Sequence, residues 1–318
     1  MPHDHSAHEQ SGHGRPEHGS SGRGHHHHGG ERGLGMAVAI NLALTVAQVV
    51  GGIVSGSVAL IADAVHNLSD AVALIIAFAA RRIARRPADG AMSFGYARAE
   101  VVAALINYTV LVVISLWLAS EAAMRLIDPP EVAGGIVMAL AGLALVIDLA
   151  TALLTWRLAR ESTNIRAAFL HNLADAGSSV AVLLGGLLIW LYGLRWADPA
   201  ITLLISGWIL WHALSEIVPV IRILMLGAPP EAEAEAVRRA IEAEAGVEGV
   251  HHLHVWQMDE HRASVEAHLV LADGADGGEA VRRVKARIAE AFGIHHATFE
   301  TETRASGCAG TGCRIGQV

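Results

Sequence analysis

The chain has 318 residues, 53% of them hydrophobic and 17% charged, with a mean hydropathy of +0.41. That composition excludes an ordinary soluble domain and specifies a polytopic membrane protein, in contact with lipid, that carries a polar tail. The formal net charge is −8, and no nucleic-acid partner is expected.

Residues 1–30 hold nine of the nineteen His among Gly, Ser and charged residues, with no apolar run that would serve as a cleavable signal. Such a stretch buries no core, so residues 1–32 are expected to form a disordered cytoplasmic tail whose imidazoles capture zinc or nickel weakly. An expression tag is the competing reading for His25-His26-His27-His28. The irregular spacing of His3, His5, His8, His13 and His18 favours a native segment.

Six apolar stretches of about 20 residues follow, at 34–54, 58–80, 99–120, 132–155, 166–192 and 200–220, within a transmembrane domain of 33–227. Asp198-Pro199 is expected to cap the last of them, because Pro suits a first helical turn and Asp accepts from exposed amides. The connection after the second span holds Arg81, Arg82, Arg85, Arg86 and Arg98, and that after the fourth holds Arg157, Arg160 and Arg166. On the other side only Arg125 and Arg195 occur. The positive-inside rule therefore places both termini in the cytoplasm, and a bacterial inner membrane fits the lack of other targeting signals.

One phrase occurs twice inside these apolar segments, as His66-Asn67-Leu68-Ser69-Asp70-Ala71 and as His171-Asn172-Leu173-Ala174-Asp175-Ala176. Ionisable groups at membrane depth cost at least about 2.5 kcal/mol each and mark pathways or binding sites. Each His and its Asp are four apart, so each pair projects from one helix face. If the two faces meet, two imidazoles and two carboxylates surround a divalent metal in the tetrahedral arrangement zinc prefers. Two carboxylates also cancel the ion's charge, which makes the site electroneutral in a low-dielectric medium. A single pair would read equally well as a helix-packing contact, and the repetition argues against that. The spans bearing the phrases run in opposite directions, a layout compatible with an inverted repeat. Asp63 and Asp148 are two further intramembrane acids, with structural and functional roles equally open.

Gly227-Ala228-Pro229-Pro230 opens a soluble domain of 228–305. Glu231 to Ala245 has helical composition, Val250 to Met258 and Ser264 to Ala272 alternate as strands, Ala275 to Phe292 is amphipathic, and Ala297 to Thr303 reads as a strand. This α-β-β-α-β order predicts a two-layer fold with one sheet face covered by helices. Seven His (251, 252, 254, 261, 268, 295 and 296) lie in it, most of them read as polar surface. The only two Cys, Cys308 and Cys313, stand in a flexible tail of 306–318, either as a metal-binding pair or as two surface thiols.

Taken in order, Gly56-Ser57-Val58-Ala59-Leu60-Ile61-Ala62-Asp63-Ala64-Val65-His66 through Asp70, Ser93-Phe94-Gly95-Tyr96-Ala97-Arg98-Ala99-Glu100, Asn164 through Asp175, and Val250-His251-His252-Leu253-His254-Val255-Trp256 resemble the cation diffusion facilitators over about residues 34–305. The resemblance implies a homodimeric metal/proton antiporter with six transmembrane helices and a cytoplasmic α+β domain of ferredoxin-like, metallochaperone-like shape. It implies a transport site of His66, Asp70, His171 and Asp175, a donor set associated with zinc and often cadmium. It carries a cytoplasmic site over to His251, His268 and Glu302, and Cys308 and Cys313 resemble the terminal thiols of some relatives. Two departures stand out. Asp89 remains from a loop site of some members, but Met92 and Tyr96 replace its other ligands, and Gln48 stands where helix one often carries Glu.

The expected function is therefore export of zinc, with cadmium, cobalt or nickel as further candidate ions, in exchange for protons by alternating access, with His66 and His171 as proton acceptors. Zinc is expected as transported substrate and as a regulatory ligand of the soluble domain. No enzyme is expected, since the chain holds no His-Glu-x-x-His phrase. The competing class is a zinc-binding sensor or scaffold without net flux.

Overall fold

A computed structural model describes residues 28–156 and 163–303, with the side chains of 40–153, 156, 169–170 and 172–303 among them. The His-rich N-terminal stretch, Arg157, Arg160, the side chain of Arg166 and the tail bearing Cys308 and Cys313 lie outside the described residues. The chain divides at Ile40, before which only the opening of one helix is described, and Asn41 onward forms the unit that holds every other element.

Among the described residues six long helices come first: α1 (His28–Ser55), α2 (Val58–Ala84), α3 (Arg98–Ile127), α4 (Gly134–Trp156), α5 (Thr163–Tyr192) and α6 (Ala197–Leu224). α2 through α6 each contain a stretch long and apolar enough to cross a bilayer, and the apolar part of α1, Ile40–Ser55, is shorter. Their large apolar side chains point outward: Leu74, Ile75 and Phe78 on α2 are 70%, 69% and 73% exposed. Water would not tolerate that surface, but lipid does, and the chain is a multi-pass membrane protein. Inside the bundle small residues such as Ala59, Ala62 and Ala64 on α2 and Ala141 and Ala144 on α4 stand among larger ones such as Leu60, Leu118 and Val182. Small residues let backbones approach closely. A Cβ on Gly186 of α5 would stand 3.1 Å from the Gly134 carbonyl of α4.

The helices outrun the apolar stretches that predict them. α2 continues through Arg81 and Arg82 to Ala84, and α3 reaches Ile127 rather than 120. Helical hydrogen bonding continues into the headgroup region, where long basic side chains reach water.

Asp198 differs from expectation in a more informative way. α6 begins at Ala197, before the acid, and its first turn lacks the expected side-chain cap. The Asp198 carboxylate instead accepts from the backbone N–H of Val58 (2.9 Å) and of Ala59 (3.4 Å), and from the Ser57 hydroxyl. Ser57 in turn accepts from the Leu60 N–H at 3.1 Å. Asp198 thus caps α2, whose orphaned amides need acceptors. Arg125 of α3 donates to the Gly56 carbonyl at 2.7 Å while paired with Glu121 at 2.8 Å. Gly56 holds φ +77°, which suits glycine and lets α1 turn sharply into α2. These contacts stitch α2, α3 and α6 at one end of the bundle. Exposed Trp190, Tyr192 and Trp196 ring that same end, as at a membrane interface.

The C-terminal domain has α7 (Ala234–Glu242), β1 (Val247–Gln257), β2 (Ala263–Leu271), α8 (Gly277–Phe292) and β3 (His296–Thr303), the predicted order. The sheet runs β1-β2-β3, with β1 and β2 antiparallel and β2 and β3 parallel. α7 contributes Val237 and Ile241, and α8 contributes Ala280, Val284 and Ile288, at the four-residue spacing that lines one helical face. Against them the inward residues of β2, Val265, Ala267, Leu269 and Leu271, complete the core. The alternate residues of β2 face the uncovered side of the sheet.

Removing the Asp198 carboxylate leaves two buried backbone donors and a hydroxyl without their acceptor. Asp198→Ala is expected to cost about 2–4 kcal/mol and Asp198→Asn less, read as the thermal unfolding midpoint of the purified chain in detergent. An unchanged midpoint for Asp198→Ala would remove Asp198 from the role of α2 cap.

Candidate metal centre in the membrane helices

α2 and α5 run antiparallel, and the predicted acids and imidazole meet where they touch. His66 Nε2 lies 3.4 Å from Asp175 Oδ1 and 3.8 Å from Asp70 Oδ2. One donor atom from each of the three falls within 4.8 Å of the others. Zinc bonds of about 2.0–2.1 Å set neighbouring ligand atoms of a tetrahedron about 3.3–3.4 Å apart. The His66–Asp175 separation is such an edge, and Asp70 needs to move only slightly to supply another. His171 lies on α5 one turn before Asp175, and its side chain lies outside the described residues.

The depth suits a transport site. His66 and Asp70 stand eight and twelve residues from the start of α2, about 12 and 18 Å along its axis. Asp175 is 8% exposed, whereas His66 and Asp70 are half-buried, so the cluster is sheltered by protein on the α5 side and open on the other.

Around this cluster is a set of polar ties that no sequence pattern announces. Asp63, 1% exposed, accepts from Gln48 Nε2 of α1 at 2.7 Å and from the Ser178 hydroxyl of α5. Ser178 also contacts the Asp175 carbonyl at 2.9 Å. Its neighbour Ser179 donates to Asp148 of α4 at 2.9 Å. Gln48, Asp63, Ser178, Ser179 and Asp148 therefore join α1, α2, α4 and α5 next to the metal-ligand cluster. The sequence marks Asp63 and Asp148 as intramembrane acids, and the hint to their partners is Ser178-Ser179, one turn beyond Asp175 in an apolar helix.

A second cluster forms on the uncovered face of the sheet. The strand register sets His251 opposite His268, and His268 beside Glu300. Glu302, two residues along β3, bridges both imidazoles, at 3.0 Å to His251 Nε2 and 2.6 Å to His268 Nδ1. His251, His268 and Glu302 also offer donor atoms within 4.8 Å of one another. His252 is more than the polar surface residue that the sequence suggests: it stacks on His268 with ring centroids 4.9 Å apart. The cause is a bulge between His251 and His254, with His252 at φ +53°.

Asp89 is used by its own turn. Its carboxylate accepts from the Tyr96 hydroxyl at 2.6 Å and from the N–H groups of Met92 and Ala91. These donors, Tyr96 first, hold Asp89 below the usual carboxylate range, and the same contact pushes the Tyr96 hydroxyl up. Among the described residues no His or Cys joins Asp89 in a metal cluster.

Residues 34–225 match the family described as the cation efflux transmembrane domain, and residues 229–304 match the cation efflux protein cytoplasmic domain. The chain belongs to the cation efflux, or cation diffusion facilitator, family. It is 35% identical to the metal cation efflux system protein CzcD of Cupriavidus metallidurans over 89% of this chain and 90% of that one. It is 33% identical to the zinc transporter ZitB of Escherichia coli, over 90% of this chain and 91% of that one. A third relative, the cadmium, cobalt and zinc/H(+)-K(+) antiporter of Bacillus subtilis, is 31% identical over 89% and 93%. The family is one of transporters, and the two matched regions coincide with the membrane helices and the following α+β domain of this chain.

The tie from Ser178 to the Asp175 carbonyl and to Asp63 generates a test. Groups that orient metal ligands typically change metal affinity 10–100-fold when removed. Ser178→Ala, made in a His268→Ala background that lacks residues 1–32 and 306–318 so that the other candidate zinc ligands are removed, should weaken zinc binding on the order of tenfold by calorimetry. Unchanged affinity would make Ser178 a packing residue only.

Proposed function

We propose that the chain exports zinc, with cadmium and cobalt as further substrates, by exchanging it for protons through alternating access. The observation that carries this reading is the meeting of His66, Asp70 and Asp175 at ligand separation between two antiparallel membrane helices. Relatives bearing the names zinc transporter and cadmium, cobalt and zinc antiporter support the choice of ions. His171, one turn from Asp175, supplies the fourth donor in this proposal.

Coupling to protons follows from the ligands. A metal ion requires neutral imidazole and ionised carboxylate, so loading expels protons and acid on the release side reloads them. His66 and His171 are the groups that exchange a proton for the ion. α2 and α5 rock around the fixed cluster, as in transporters whose site lies at the middle of the membrane.

The same proposal assigns residues 33–227 to transport and 228–305 to a cytoplasmic domain in a bacterial inner membrane, with both termini on the cytoplasmic side. Two copies associate as a homodimer. Zinc bound by His251, His268 and Glu302 favours one arrangement of the soluble domains and so raises export when cytosolic zinc is high.

Inside-out vesicles with an imposed pH gradient test the transport site. Asp175→Asn and His171→Ala should each reduce zinc uptake to below about a tenth of the native rate, and collapse of the gradient should do the same. Native rates in His171→Ala would reject the four-donor site, and no flux in the native chain would favour the sensor reading. His268→Ala should leave the maximal rate and move the zinc concentration giving half of it upward. A coincident zinc dependence would reject regulation by the sheet cluster.

A further inference from the structure

The C-terminal half of α2, the start of α3 and the end of β1 enclose a cavity of about 830 Å³. That size falls within the range of roughly 300–1,000 Å³ for small-molecule sites. Its walls are apolar: Ile83 of α2, Met92 and Phe94 of the α2–α3 loop, Val102 of α3, and Trp256 and Met258 from the sheet domain. Two of its lining residues are charged, and both are committed elsewhere. Arg98 donates to the Gln257 and Met258 carbonyls at 3.2 and 3.0 Å, and Arg262 pairs with Asp259 at 2.6 Å.

The mouth of the cavity is different. Ile76, Ala79 and Ile83 line it at three- and four-residue steps along α2. Three steps beyond Ala79 comes Arg82, which continues the same helical face, and Arg86 follows just past the helix end, its N–H bonded to the Ile83 carbonyl at 3.0 Å. Arg85, at the helix cap, adds a third. All three are exposed, and none has a carboxylate partner within 4 Å among the described residues. The Arg86 carbonyl also lies within 3.9 Å of the Cβ position of Gly95, which lines the cavity. An apolar slot therefore runs from bilayer depth to a triad of unneutralised cations at the level of the headgroups.

We propose that the slot holds one acyl chain of an anionic phospholipid from the leaflet facing the sheet domain, with its phosphate bound by Arg82, Arg85 and Arg86. Charge complementarity selects this occupant, since basic clusters just outside a membrane helix attract anionic headgroups. The site is separate from both metal clusters and does not depend on the ion transported.

The experiment is native mass spectrometry of the full chain released from detergent after equilibration with phosphatidylglycerol or phosphatidylcholine. The native chain should retain one phosphatidylglycerol per copy, at least about tenfold over phosphatidylcholine. Arg82→Gln with Arg86→Gln should bring phosphatidylglycerol down to the phosphatidylcholine level. Ala79→Trp, which fills the slot from an exposed position, should lower retention of phosphatidylglycerol by a similar factor while the oligomer mass stays the same. Equal retention of the two lipids overturns the proposal. So does loss on arginine substitution with none in Ala79→Trp, which would describe general surface attraction. Dissociation of the oligomer by Ala79→Trp with lipid retention unchanged would give the slot to a second copy instead. Should Ala79→Trp fail to fold, brominated phosphatidylglycerol decides the matter through the share of quenching that belongs to Trp256, read as the difference between the native chain and Trp256→Phe, which keeps the other six tryptophans: greater quenching in the native chain supports the site, and equal quenching in both rejects it.

Discussion

A carboxylate at membrane depth must be matched there by a cation or by donors, because no water is present to solvate it. The bundle meets this demand in two distinct ways. Asp63 and Asp148 receive neutral donors, from Gln48 and Ser178 in one case and Ser179 in the other. Asp70 and Asp175 face an imidazole, His66. The hydroxyl and amide donors on Asp63 and Asp148 join α1, α2, α4 and α5. In the proposal above it is the His66 cluster, where a neutral imidazole offers a lone pair, that trades a proton for a metal ion.

That distinction constrains how the helices can move. α5 is held to α2 through Ser178 and to α4 through Ser179, two adjacent hydroxyls directed at different helices. Its close approach to α4 at Gly134 and Gly186 leaves no room for larger side chains. Far from the cluster, Asp198 and Arg125 fix the start of α2 to α6 and α3. α2 therefore has one end anchored near Gly56, while the other, near Arg81, runs out toward the sheet domain.

Much of this is legible in the sequence, and the exceptions share a cause. The His-x-x-x-Asp spacing, the apolar runs and the alternation Val265, Ala267, Leu269, Leu271 are periodic signals, and periodicity is local. The order of elements in the soluble domain follows from it, with strand ends displaced by up to three residues. Asp198 next to Pro199 looks like a local cap because its true partners, Ser57 and Val58, are 140 or more residues away. Gln48 and Ser178 carry no pattern of their own, and each gains meaning only when α1, α2 and α5 are in contact. His252 is hidden by a bulge, since one inserted residue reverses which face of a strand a side chain takes.

The α2–α3 loop connects the end of α2 to the sheet domain. Arg98, where α3 begins, holds the carbonyls that end β1, and Phe94 stacks edge-on against His296 at the start of β3 with centroids 5.9 Å apart. β1 carries His251 six residues before Gln257, and β3 carries Glu302 six residues after His296. Both strands thus present a metal-ligand residue at one point and a loop contact at another. Glu302 uses its two oxygens on two imidazoles, so the metal ion proposed to enter between them must replace at least one of those hydrogen bonds. The loop is stiffened by Asp89, which binds Ala91, Met92 and Tyr96 at once. Contiguity alone is a route and not a coupling. The route here runs from the strand ends through this loop into α2, whose opposite end is held by Asp198.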